Sequence, residues 1–506
     1  MTPPTGRLLL QAAALPELQT PVIVGVAIAY FVVVAAIGVW ATRRTRNAKD
    51  FFVAGQGIGL WTLAIAAMAA TLSGFAFIGG PGLVYSLGFG AVFLVLPASL
   101  TNTLGAWVLA KRMRLLGEVR GLITVPDAIG ARFKSPAAQG LSAVAILVAT
   151  IGYMATNVLA LGLVIDAIFG SGLAAGIWIG TAITLGYSVS GGIMAGVYTD
   201  LFQGSLMALA SVLVFVFTLQ VGGGALHMTD SIAAVDAAWL APWGKLPALA
   251  ALSFFFVFGI GSLGQPHVVH KFYMLKDPRR LRWYPLIMTV ALGVTLLLYV
   301  GVGFAVKALV AQGRLAPLAS ADDATPAFLL RFTPVLLSGL VFSGVAAAIM
   351  STVNSFMSIG AAALTHDLPL VLGRPIANEL KWGRIFTVLL SLAAALVAQA
   401  SGTLVAFLGI FGWGLFASTL VPSLAIGLNW EGATREGAVA SIATGLVLTL
   451  GCETLGYLKV LSLPAGVTVS GLALLASLVV FLVVSWFTRA GAAAQLDPDI
   501  RLVLEV

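Results

Sequence analysis

Apolar residues run along this chain in blocks of about twenty, separated by short polar or basic connectors. A helix rising about 1.5 Å per residue needs about 20 apolar residues to cross a hydrocarbon core of about 30 Å. Measured that way, the pattern predicts thirteen membrane spans, at 21–41, 59–86, 90–110, 138–168, 174–190, 198–221, 247–266, 284–308, 329–361, 385–401, 404–428, 437–457 and 466–488. The fold class is therefore all-α and polytopic. Residues 1–20 are expected to form an extracytoplasmic segment, 21–488 a single membrane domain, and 489–506 a short cytoplasmic tail.

Composition agrees with the pattern. Of 506 residues 60% are hydrophobic and 9% charged, against about 25% charged in a soluble domain. Lipid must be the solvent for most of the surface, which excludes a soluble enzyme and a disordered chain alike. A single cysteine, Cys452, permits neither an internal disulfide nor a multi-cysteine metal site. The four histidines show no metal-protease spacing, so no transition metal is expected. The net charge of +8 is read as loop charge of a membrane protein rather than as a nucleic-acid surface.

Basic residues accumulate in cytoplasmic loops. With the N-terminus outside, Arg7, Lys245, Lys307, Arg314, Arg331 and Lys459 are the six of 27 basic residues left outside. The C-terminus is then cytoplasmic, and a plasma (inner) membrane location is expected. The first twenty residues carry Arg7 and a short apolar stretch, Leu8 to Leu10, but soon Gln11, Pro16 and Glu17. That is no signal peptide, so the first apolar helix is expected to stay in the mature protein.

Two spans are interrupted alike. The second contains Ser73-Gly74-Phe75-Ala76-Phe77-Ile78-Gly79-Gly80-Pro81-Gly82, the seventh Gly259-Ile260-Gly261-Ser262-Leu263-Gly264-Gln265-Pro266-His267. Glycine frees the backbone and proline removes a donor, and backbone opened at membrane depth must be buried or line a cavity. Either stretch alone reads as a kink with packing glycines. Their separation by five spans instead suggests inverted repeats, about 59–221 and 247–428, with a solute site at the broken helices.

Three polar residues within the spans stand out. Ser351 and Thr352 sit in the ninth span, where their hydroxyls either bond back to their own helix or join exposed carbonyls around a small hard cation. Asp200 opens the sixth span, as a helix N-terminal carboxylate or as a functional acid. The glycine run near residue 79 lacks the lysine and the preceding strand of a phosphate-binding loop. Lys111 to Arg132 reads as lipid-facing, topogenic charge.

These residues resemble the sodium:solute symporter family, most closely its sodium/proline branch, from about Asp50 to Trp430. The resemblance rests on Asp50-Phe51-Phe52-Val53-Ala54-Gly55, Ser73-Gly74 with Gly80-Pro81-Gly82, Thr124-Val125-Pro126-Asp127, and Gly191-Gly192 with Thr199-Asp200-Leu201-Phe202-Gln203. It continues through Gly264-Gln265-Pro266-His267, Met350-Ser351-Thr352 and Asp367-Leu368. It implies a leucine-transporter-like core of two inverted five-helix repeats within 59–428, and sodium as coupling ion without an organic cofactor. The sodium ligands implied are the carbonyls of Ala69, Leu72 and Ala348 with the side-chain oxygens of Ser351 and Thr352, and Asp200 on the sodium exit route. Solute contacts are implied at the breaks, by Thr71 and Ser73 in the second span and Phe258, Ser262 and Pro266 in the seventh. Thr71 stands where the proline branch has an aspartate, and Phe258 and Ser262 where it has other aromatics.

The expectation is a symporter, not an enzyme, that imports a small organic solute by alternating access; its partners are that solute and the bilayer, not nucleic acid. An amino acid of proline type leads, with a short-chain carboxylate as the alternative solute. Proton coupling through Asp200, a sensory membrane module and a simple channel are the rival mechanisms.

Overall fold

The computed structural model describes residues 19–401, 405–464, 466–490 and 496–505. Most of the expected N-terminal segment, residues 1–18, and part of the tail lie outside them. The described residues are helical almost throughout, with one isolated bridge between Ile58 and Leu275 in place of a sheet. Among them are eleven helices long and apolar enough to cross a membrane, and two shorter apolar ones, Leu60–Thr71 and Leu173–Gly186. The protein is a multi-pass membrane protein, with thirteen spans an approximate count.

Both expected interruptions are present, and each has a local cause. In the second span the helix Leu60–Thr71 ends where Leu72 turns to extended backbone (φ −88, ψ 92). A π-turn, Phe75–Gly79, leads into the helix Gly80–Leu87, with Pro81 at its first turn, where a missing N–H costs nothing. A Cβ on Gly80 would lie 1.9 Å from the Tyr299 ring, so glycine lets the eighth span close over the break. In the seventh span Ala248–Ile260 tightens to a 3-10 turn, Gly261–Gly264, and Gln265 is extended before Pro266–Val269. Gln265 Nε2 crosses this gap to the carbonyls of Gly261 (3.0 Å) and Trp413 (3.2 Å).

The fifth and sixth spans follow one another with no loop. Helix Leu173–Gly222 changes direction at Gly192 (φ 55, ψ −146), where a Cβ would lie 2.5 Å from the Phe51 ring. Only glycine suits that backbone and that contact, which explains Gly192. The turn also moves the start of the sixth span forward from residue 198. The ninth span starts later than expected and runs further: Pro334 precedes helix Val335–Ala362, which continues to Val371, and Ala324–Phe332 is a separate helix.

Helix Val335–Ala362 is apolar or weakly polar on every side and is buried at every position from Val341 to Ala362. A helix hydrophobic all round belongs in a core. It packs on Leu60–Thr71, on the fourth span (Pro136–Phe169) and on Leu173–Gly222. By contrast the last two spans, Arg435–Tyr457 and Val469–Thr488, expose Val447, Leu475, Val479, Leu482 and Phe487. Large apolar side chains left outside a packed helix pair are what lipid contact requires.

Candidate functional site

The two breaks meet in the middle of the bundle. Thr71, Leu72, Phe75 and Ala76 from the second span and Phe258 from the seventh line a small, mostly apolar cavity. Leu94, Leu292, Leu296, Tyr153 and Trp413 complete the lining. Phe258 is stacked between Phe75 (centroids 5.6 Å) and Trp413 (5.2 Å). No lining residue is ionisable except the Tyr153 phenol, whose hydroxyl shares a hydrogen bond with Ser73 Oγ (3.1 Å). Ser73 also accepts from Phe75 N (3.2 Å), and Gly74 N donates to Asn157 Oδ1 (2.8 Å). The opened backbone is thereby satisfied from the fourth span.

Of the five solute contacts implied by resemblance, Thr71 and Phe258 lie in the wall. Thr71 directs its hydroxyl back to Ala67 O (2.8 Å). Ser73 stands behind Tyr153. Ser262 faces away, donating to Thr101 Oγ1 (3.0 Å) and Gly259 O (2.8 Å). Pro266 is buried at the start of Pro266–Val269 and is not in the wall. Ser262 lies within the 3-10 turn Gly261–Gly264 with its hydroxyl turned to Thr101, and Pro266 opens the short helix beyond it. Tyr153 and Trp413 were not anticipated. Their signal was the flanking glycine: Gly152, and Gly412 with Gly414, where a Cβ on Gly412 would meet Tyr153 at 2.8 Å.

The other face of the second-span break presents oxygen. Helix Leu60–Thr71 leaves its last carbonyls without helical partners, and Thr352 Oγ1 reaches Ala70 O and Ala348 O, each at 3.0 Å. The Ala70 contact falls between Ala69 and Leu72, the two carbonyls implied by resemblance. Ser351 Oγ is buried beside the Asp200 carboxylate, yet neither it nor Asp200 Oδ1 has a partner of hydrogen-bond geometry. Oxygens of this kind, neutral except for one carboxylate, suit a small hard cation.

Asp200 is fully buried, two turns beyond Gly192 rather than in a first turn. A helix N-terminal role is thereby excluded. Its Oδ2 instead receives Lys271 Nζ at 3.0 Å, and Lys271 also donates to Ser355 Oγ at 3.3 Å. Lys271 corrects the sequence reading, which had placed it among cytoplasmic loop charges: its side chain is 1% exposed. Part of the Lys111 to Arg132 stretch is corrected likewise. Arg114 Nε donates to Leu275 O (2.6 Å) and Arg132 Nε to Gly427 O (2.7 Å), both guanidinium groups capping carbonyls inside the protein.

At the C-terminal end of the ninth span, His366 bridges Asp127 (Nε2 to Oδ2, 3.1 Å) and Glu379 (Nδ1 to Oε1, 3.0 Å). Thr124 Oγ1 donates to Asp367 Oδ1 at 2.6 Å. This links the Thr124-Val125-Pro126-Asp127 and Asp367-Leu368 motifs across 243 positions. Asp127, His366 and Asp367 offer three clustered ligand atoms, but both imidazole nitrogens are engaged by carboxylates.

Paired broken helices, a cavity beside them and clustered oxygens at one break go with a secondary transporter of leucine-transporter-like fold. Solved structures share that fold. A Na+-coupled sialic acid symporter in a substrate-bound outward-open state superposes with a TM-score of 0.75 at 16% identity, covering 92% of this chain and 98% of that one. A nucleobase-cation-symport-1 family transporter, closed with bromovinylhydantoin bound, gives 0.55 at 14% identity over 90% and 98%. The sodium:solute symporter family matches residues 51–445, and the chain belongs to it. It is accordingly a membrane transporter and not an enzyme. Among its relatives, the osmoregulated proline transporter OpuE of Bacillus subtilis is 28% identical over 468 residues, 87% of this chain and 93% of that protein. The sodium/proline symporter of Escherichia coli is 28% identical over 459 residues, 87% and 89% of the two chains.

Proposed function

We propose that this protein imports a small amino-acid-like solute, with proline the first candidate, by coupling it to inward sodium flow. The observation that carries the proposal is the second-span break, which serves two sites at once. Thr71 and Leu72 face the cavity, while the neighbouring carbonyl of Ala70 meets Thr352. A sodium ion held by carbonyls of Ala69 or Ala70, Leu72 and Ala348 and by Ser351 and Thr352 would fix the backbone that shapes the cavity wall. Binding at one site thus pre-organises the other, and rocking of one repeat against its partner exposes both to the cytoplasm. Asp200 lies next to Ser351 and takes the ion on its way out.

The cavity wall favours an amino acid over a short-chain carboxylate. It has aromatic faces and a phenol but no cationic side chain to balance an uncompensated carboxylate. A zwitterion carries its own counter-charge. The reading keeps a single transporter domain, 21–488, with repeats about 59–221 and 247–428, the N-terminus outside, the C-terminus cytoplasmic and the plasma membrane as location; no organic cofactor is required. Uptake of a labelled solute panel into proteoliposomes, under an imposed sodium gradient or an imposed proton gradient, tests the reading. Proline accumulation driven by sodium alone is expected. Accumulation driven only by protons would replace sodium coupling by titration at Asp200, and sodium-driven uptake of a carboxylate without proline would replace the solute.

A further inference from the structure

The Asp200–Lys271 pair has 0% and 1% side-chain exposure and lies at membrane depth, where isolated charge is expensive and partners are needed. Its stoichiometry of contacts is uneven. Lys271 Nζ satisfies Asp200 Oδ2 and reaches Ser355 Oγ, whereas Asp200 Oδ1 and the neighbouring Ser351 Oγ are left unpartnered. A purely structural ion pair is stabilised by satisfying all of its polar atoms, since each buried oxygen left bare carries a desolvation penalty. Here Asp200 Oδ1 and the Ser351 hydroxyl, neighbours of each other, are taken up by no third group, and Ser351 stands next to Thr352 on the same helix.

We propose that Lys271 is a tethered competitor cation for Asp200. With sodium absent, the ammonium keeps the carboxylate neutralised from one side. As sodium leaves the Thr352 site it takes Asp200 Oδ1 and Ser351 Oγ, while the ammonium retains Oδ2 a few ångströms away. Like charges that close repel strongly in a partly dry interior, so the ion is held weakly and passes on. Ser355, one turn beyond Ser351 on the same helix, anchors the ammonium so that it cannot swing away. Lys271 is thus a positioning residue that sets the affinity of the exit step and prevents Asp200 from becoming a sodium trap.

This inference rests on the sodium reading above, and one experiment separates the two. Radioactive sodium binding to the purified full-length protein is measured for wild type, Thr352→Ala, Lys271→Gln, Lys271→Met and Lys271→Arg, with thermal melting as the fold check. Removing the ammonium should tighten sodium binding at least about tenfold, or add a second bound sodium per chain, in both neutral variants. Adding Asp200→Asn to Lys271→Gln should cancel that gain. Solute-driven turnover in Lys271→Gln should become sensitive to lower concentrations of cytoplasmic sodium, a signature that a merely structural pair would not produce. Unchanged or weaker sodium binding in whichever neutral variant folds overturns the proposal, as does equal tightening by Lys271→Arg. Sodium binding unaffected by Thr352→Ala would instead overturn the underlying sodium reading.

Discussion

Thr352 Oγ1 stands 3.0 Å from the carbonyl oxygen of Ala70, a residue 282 positions earlier in the chain. The contact joins the ninth span to the point where the second span stops being a helix. Neither partner is unusual alone; an alanine carbonyl becomes available only because Leu72 leaves the helix.

Thr352→Ala removes this hydroxyl with little change in volume. A hydrogen bond or ligand contact to a charge is worth about 1.5–3 kcal/mol, and about 1.4 kcal/mol is tenfold in affinity. Apparent sodium affinity in uptake should fall roughly ten- to a hundredfold, with Ser351→Ala falling in the same direction. Solute affinity at saturating sodium should change less. Sodium dependence like wild type in both variants, at matched expression, would reduce the two hydroxyls to helix-internal groups.

Phe258 and Ser262 should now behave differently. Phe258 is sandwiched between Phe75 and Trp413 in the cavity wall, so Phe258→Ala should alter relative uptake across a solute panel and lower stability by about 3–5 kcal/mol. Ser262→Ala loses only the Thr101 and Gly259 bonds, about 1 kcal/mol, and should leave solute preference intact. The reverse ranking would move the solute site to the other face of the seventh span.

Orientation is checked by labelling. Arg46 and Arg279 are exposed at connectors assigned to the cytoplasm. Single cysteines there, in a Cys452→Ala background, should react with an impermeant reagent only from the cytoplasmic side. Reaction in intact cells would invert the topology.

Asp322 gives a pH-dependent stability outside the spans. Its carboxylate is buried and accepts from Val405 N at 3.0 Å, and burial pushes it from 3.8 up to about 6. The fold binds this proton more tightly than the unfolded chain does. The stabilisation is therefore fully present below pH 3.8 and is lost as pH rises through about 6. Melting temperatures of wild type minus Asp322→Asn should fall by a few degrees from pH 4 to pH 7. A difference that stays flat over that range would show an unshifted carboxyl.

Much of this protein was legible in its sequence because lipid imposes a simple rule. Apolar blocks of spanning length, paired Gly/Pro interruptions and lopsided basic loops follow from hydrogen-bond and solvation demands that act locally, so spans, breaks and family could be read without coordinates. Ser351 and Thr352 were singled out by the family resemblance rather than by the pattern, and Asp200 by its charge within an apolar span. The sequence was silent on orientation about a helix axis and on pairing across hundreds of positions. Ser262 lies within a 3-10 turn with its hydroxyl turned to Thr101, and the split at Gly192 depends on a close approach to Phe51. Lys271 was misread for the same reason: from charge alone a lysine near a helix end belongs to a loop. Only the packed bundle brings Asp200 to within 3.0 Å of it, and in a low-dielectric interior that single distance decides whether a lysine is a topology signal or the buried partner of an acid.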